Sequence, residues 1–184
     1  MLLRPVLALT LFGALGHAVP AAAARPLHRQ LQAAWRLDDA GAEHLRAALV
    51  LCADHELNAS SFTARCVAST GAPLGTAVLA GLAALTGRRH GGMTERVEHW
   101  WAAWAAGAGV PAGRPPPGFG HPLYPQGDPR AAAMLARLPA DGDRERLLDA
   151  VRRSSGLQPS VDLALVTLRR ALGLPCGAAF ALFA

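Results

Sequence analysis

Apolar residues recur along this chain at intervals of three and four, the spacing of a helix face, and no strand-like alternation stands out. Leu45, Ala48, Leu49 and Cys52 form one such stripe, on a helix leading into Asp54 and His55. A second helix is predicted to begin near Ser60, with Phe62, Cys66 and Ser69 on one face. Pro73 stands where a first-turn proline is tolerated. Leu74, Ala77, Val78, Gly81, Leu82 and Leu85 then continue a stripe that Gly87 ends, just before His90. The small residues Ala77, Ala80, Gly81 and Ala84 permit another helix to come close. Thr94 is placed to cap a helix striped by Val97, Trp100, Trp101 and Trp104, tryptophans that read as core or as a subunit interface.

Residues 107 to 127 are crowded with glycine and proline and are predicted to be loop. Further helices are expected from Asp128 and Pro129 to Leu138, from Asp143 to Ser155 with Gly156 as its stop, and from Ser160 to Leu172. Pro175 opens a last apolar segment that reaches Ala184 with no cap and no glycine stop, as a helix cut partway would. The fold class these patterns predict is all-α.

Composition narrows the function classes. The 184 residues allow one domain or two unequal lobes. At 52% apolar and 17% charged, the chain has enough to bury and is not of disordered type. All 18 basic residues are arginine, with no lysine and no isoleucine, as a GC-rich coding sequence produces. The net charge of +5 is spread rather than clustered, and aromatic residues are 5%, so a nucleic-acid partner is not expected. A modest positive field suits small anionic substrates. Cys52, Cys66 and Cys176 form no CxxC pair and read as small buried hydrophobes. Cys52 and His55 make a CxxH without a second pair, so no metal site is expected. The opening MLLRPVLALTLFGALGHAVPAAAARP has the outline both of a secretory signal and of an alanine-rich buried helix. No stretch is long and clean enough to span a bilayer, and no membrane partner is expected.

Four segments hold polar residues that helix packing alone does not explain: ADHELNASSF (53 to 62), GRRHGG (87 to 92), PGFGHPLYPQGDPR (117 to 130) and PSVD (159 to 162). His90, followed by two glycines at a helix end, can donate a hydrogen bond to a carbonyl, or simply balance the helix dipole. His121 sits with Gly118 and Gly120, where backbone amides can approach an anion or a thioester carbonyl, or where a tight turn needs glycine. Asp162 falls in the first turn of the helix that Ser160 caps, a position that stabilises an anion whether or not it has a chemical role. Arg130 after the Asp-Pro helix start is either a solvated surface residue or a fork for a carboxylate.

In this order and at these intervals the four segments resemble the citrate synthase family, from about Leu27 to Ala184. The resemblance implies a citrate synthase-like helical fold, truncated at both ends: residues 1–92 as a partial large domain, 93–163 as the small, CoA-side domain, and 164–184 returning to the large domain. It implies condensation of acetyl-CoA with oxaloacetate to give citrate and CoA, with no cofactor beyond acetyl-CoA as substrate. Asp162 resembles the base that deprotonates the acetyl methyl group, His90 the group that stabilises the enol or enolate, and His121 the residue that polarises the keto carbonyl. His55 and Arg130 resemble ligands of the keto acid, and Pro117, Gly118, Phe119 and Gly120 the loop that lines the CoA site. A longer acyl-CoA giving 2-methylcitrate is compatible with the same motifs. The family also implies a cytoplasmic homodimer, or pairing with a full-length homologue, with the Gly81 face against the two-fold partner. The alternative is a non-catalytic homologue that serves as a CoA-binding or partner-subunit module.

Overall fold

The computed structural model describes residues 25–54 and 57–184. Among them all regular structure is helical. The elements are α1 (Leu27–Trp35), α2 (Asp39–Leu51), α3 (Ala59–Ser69), α4 (Leu74–Leu85), α5 (Met93–Ala105), α6 (Pro129–Leu135), α7 (Gly142–Ser155), α8 (Val161–Ala171) and α9 (Ala178–Phe183). The signal-like or buried-helix segment at the start, and His55, lie outside the described residues. The chain divides into two compact units, one ending at Gly92 and including Ala181–Ala184, the other running from Met93 to Phe180.

Local chemistry starts the helices where side-chain oxygens can accept the orphan amides of a first turn. Asp38 accepts from Gly41 N at 2.7 Å, and Asn58 accepts from Ser61 N at 2.9 Å. Asp141 accepts from both Asp143 N and Arg144 N, and Gly156, at φ +69°, closes the same helix in the left-handed region. Thr94, expected as a cap, is the second residue of α5 and is buried.

In the first unit, Leu31 of α1 and Ala42, Leu45 and Ala48 of α2 are buried, and α3 pairs with α4. The small-residue face of α4 is spent inside the chain, which corrects the expectation that Gly81 meets a second copy. A Cβ on Gly81 would stand 3.2 Å from Ala64 Cβ and 3.3 Å from the Ser60 carbonyl oxygen, both on α3. Phe62, Cys66 and Ser69, expected on one face of α3, are all exposed, Phe62 by 56%. On α4, Leu79 is 65% exposed. Cys52 is buried, but Cys66 and Cys176 are exposed, against the reading of all three as core.

In the second unit, α8 is the centre. Seven of the eight residues from Val161 to Leu168 are buried, the exception being Asp162, and the helix packs against α5 and α6. Val97 and Trp101 of α5, Met134 of α6 and Leu147 and Val151 of α7 complete the core, each such burial contributing about 1.5–3 kcal/mol. Glu98 ties α5 to the far end of α8 through ion pairs with Arg169 and Arg170, and the Arg170 guanidinium lies 4.6 Å from the Trp101 ring centre.

Candidate functional site

The loop of Gly118 to Gly120 is fastened to the residues before α8 by a two-bond bridge, Gly120 N to the Gln158 carbonyl and Ser160 N to the Gly118 carbonyl, each 2.8 Å. Only glycine fits at 118. Its φ is +81°, and a Cβ would come within 2.7 Å of Val97 Cγ2 and 3.1 Å of Leu163 Cβ. Phe119 turns into the core, 5% exposed, with its ring edge-on to Trp100 at 5.8 Å. The Phe119 and Gly120 amides donate to the Pro116 and Gln158 carbonyls, so these two amides of the loop already have backbone acceptors. Of the four residues expected to line a CoA site, Pro117 and Gly120 keep solvent access.

This bridge carries His121 to the start of α8. His121 Nδ1 accepts the Leu123 amide at 3.2 Å, which places the ring proton of the neutral imidazole on Nε2 and makes that atom a donor. Desolvation, joined by the Arg130 charge and opposed by Asp128, holds the His121 pKa below the usual histidine value, so the ring is neutral near pH 7. Tyr124 packs beside it with ring centres 5.1 Å apart, and the Arg130 guanidinium lies 5.1 Å from the Tyr124 ring centre.

Arg130 in turn is gripped by Asp128. Asp128 Oδ1 accepts Arg130 Nε at 2.9 Å and Oδ2 accepts Nη2 at 2.8 Å, a two-point fork. Burial would raise the Asp128 pKa, but the hydrogen bonds and charge of Arg130 and the Val161 amide outweigh it, and the carboxyl lies below its ordinary value. Asp162 is in the opposite condition. It keeps partial contact with solvent, yet desolvation pushes its pKa up from an ordinary 3.8 to about 6, against the Ser160 hydroxyl that donates to Oδ2 at 3.1 Å and the Arg130 charge. Ser160 occupies the cap position of α8 without capping it: its hydroxyl serves Asp162.

His90 belongs to the first unit, in the turn after α4. Its Nε2 lies 3.0 Å from Ser60 Oγ, and Phe183 meets the ring edge-on at 5.6 Å. Ser60 Oγ also donates to Asn58 Oδ1 at 2.8 Å. One hydroxyl proton cannot serve both, so with Ser60 turned to Asn58 the His90 proton sits on Nε2, and with Ser60 turned to His90 it moves to Nδ1. Desolvation lowers the His90 pKa, leaving this ring neutral as well.

The structure thus groups His121, Arg130 and Asp162 within the second unit and sets His90 in a polar chain with Ser60 and Asn58 in the first. Sequence reasoning gave no role to Tyr124 or Ser60, and took Asp128 only as a helix start. Asp128 carried a readable signal for one cap. Its bond to Val161 N, 33 residues away, left none.

The second unit is thus an all-helical scaffold that holds a carboxylate of raised pKa in the field of an arginine fixed by a second, buried carboxylate. The citrate synthase C-terminal domain profile matches residues 13–184, and the chain belongs to the citrate synthase family. It is 34% identical over 146 residues to 2-methylcitrate synthase 2 of Corynebacterium glutamicum, covering 69% of this chain and 38% of that protein. The fold is shared with citrate synthase of Thermotoga maritima MSB8, at TM-score 0.74 and 24% identity over 97% of this chain and 55% of that one. It is shared too with citrate synthase of Thermoplasma acidophilum, solved with carboxymethyl coenzyme A and oxaloacetate, at TM-score 0.70 and 22% identity over 97% and 55%. The chain spans about two-fifths of the length of the curated relatives it matches.

Proposed function

We propose that this chain supplies the acid–base half of a citrate synthase-type condensation, joining acetyl-CoA to oxaloacetate and releasing citrate and CoA. The observation that carries the proposal is Asp162, whose raised pKa of about 6 leaves it ionised at pH 7 yet closer in strength to a carbon acid's needs than an ordinary carboxylate. Asp162 removes a proton from the acetyl methyl group, and the neutral His90 imidazole, with its proton on Nδ1 while Ser60 turns toward it, donates to the thioester oxygen as the enolate forms. The methyl carbon attacks the keto carbon while His121 Nε2–H donates to the keto oxygen. Arg130 and His55 hold the keto acid, and hydrolysis of the citryl thioester releases citrate and CoA. The 2-methylcitrate synthase relative supports a second substrate, propionyl-CoA, for the same steps.

A thiol-release assay with acetyl-CoA or propionyl-CoA, with and without oxaloacetate, tests this. We expect oxaloacetate-dependent release that Asp162→Asn abolishes while the helical content stays. Equal turnover in that variant refutes the base assignment. Absence of release from the wild-type chain, with CoA still bound, favours the non-catalytic CoA-binding module instead. We propose also that a second copy, or a full-length homologue, covers the outward face of α3 and α4, where Phe62, Leu74 and Leu79 are each more than half exposed. Light scattering that shows a stable monomer alone and with a full-length homologue excludes this. Among the described residues no helix is long and apolar enough to cross a membrane.

A further inference from the structure

We infer that Asp128 is a positioning residue, its buried carboxylate joining the start of α6, the guanidinium of Arg130 and the first turn of α8 so that Arg130 and Asp162 are held as one piece. The inference deepens the proposed condensation and rests on it for the roles of Arg130 and Asp162.

Asp128 is 3% exposed and receives four donors on two oxygens. Oδ1 takes Arg130 N at 3.0 Å and Arg130 Nε at 2.9 Å, and Oδ2 takes Arg130 Nη2 at 2.8 Å and Val161 N at 3.0 Å. One carboxylate therefore caps its own helix and a second helix from outside. The second cap reaches the first amide of α8, that of Val161, while Ser160 at the cap position accepts no first-turn amide and donates its hydroxyl to Asp162. The Val161 amide, adjacent in sequence to Asp162, is thus held from outside its own helix. A carboxylate alone accepts from all four donors, since an amide side chain would turn its NH2 group against one pair. The same grip fixes the guanidinium that lies over Tyr124, and Tyr124 lies against His121. The anchoring thus runs from the α8 start to the imidazole through contacts of the second unit alone.

The test follows the carboxyl carbon of Asp162 by NMR titration in the whole chain, in the wild type, in Asp128→Asn and in Met134→Ala, a packing change in the buried face of α6. Removing the Asp128 anion and leaving Arg130 uncompensated should lower the Asp162 midpoint by about one unit or more, while Met134→Ala leaves it in place. An unmoved midpoint in Asp128→Asn, or an equal displacement in Met134→Ala, overturns the inference. Should Asp128→Asn fail to fold, hydrogen exchange in the wild type decides. The Val161 amide should exchange at least about tenfold more slowly than that of Leu27, which opens α1 without a side-chain cap. Equal exchange overturns the assignment. Neither readout involves acetyl-CoA or oxaloacetate, so loss of condensation activity and failure of this inference are told apart.

Discussion

His90 and Asp162 each set an ionisable side chain partly below the surface, and the two neighbourhoods do it differently. Around His90 the support is short and in series: a turn, a serine hydroxyl and an asparagine that caps α3, each with one bond to the next. Around Asp162 the support comes from three stretches of chain at once, the glycine loop, the start of α6 and the start of α8, with Asp128 taking four donors among them. A series arrangement can shift its one proton between neighbours. A convergent one resists movement, because breaking it strands several buried donors together.

The largest effect should come from breaking the convergent side. Asp128→Ala leaves the Arg130 fork and the Val161 amide without their acceptor, and we expect a loss of about 3–5 kcal/mol in urea unfolding, the range for removing one partner of a buried pair. A loss under about 1 kcal/mol would make the cluster a surface ion pair in effect.

Asp162→Asn should act in the opposite direction on stability. The folded chain holds the Asp162 proton more tightly than the unfolded chain, since its pKa rises from 3.8 to about 6. That contribution is present below about pH 4 and is withdrawn as pH rises through about 6, which costs up to about 3 kcal/mol at pH 7 at 1.36 kcal/mol per unit. The asparagine variant should recover much of this in melts at pH 7 and lose the dependence between pH 4 and pH 6. Condensation by the wild type should rise through about pH 6 as the carboxylate forms. The histidines run the other way: with pKa values depressed in the fold, their stabilising contribution is present above the ordinary histidine value and is lost as pH falls below it.

On the series side the effects are smaller. Ser60→Ala removes the half-buried hydroxyl's bonds to both His90 and Asn58 and should cost about 1–2 kcal/mol, while shifting the His90 ring-nitrogen chemical shifts as Nε2 loses its neighbour. Unchanged nitrogen shifts would mean that Ser60 does not set the tautomer. Smallest of all, Leu79→Ser on the outward face of α4 should change the melting of the isolated chain by no more than about 0.5 kcal/mol, yet abolish self-association if that face pairs. A large loss in the monomer would instead place Leu79 inside the chain's own packing.

The helices were legible because their signals are local. The stripes through α2, α4 and α5, the Asp-Pro opening of α6 and the glycine after α7 all act within a turn or two of where they are read. Gly118 could be flagged as a turn glycine, but that its place is held against Val97 and Leu163 could not. The orientation of α3 and α4 misled for a related reason: a small-residue face and a large apolar face both ask to be covered, and periodicity does not say which is covered by the same chain.

By itself, then, the order of residues determined an all-α chain, the ends of most of its helices and the four segments that mark the citrate synthase family. Tertiary structure alone decided that a carboxylate at 128 caps a helix that begins at 161, that Ser160 serves Asp162 rather than its own helix, and that Phe119 is core. The physical reason is the range of each interaction. Backbone propensity and capping act over a few residues, whereas desolvation and the sharing of one acceptor among distant donors exist only once the chain has brought those groups together.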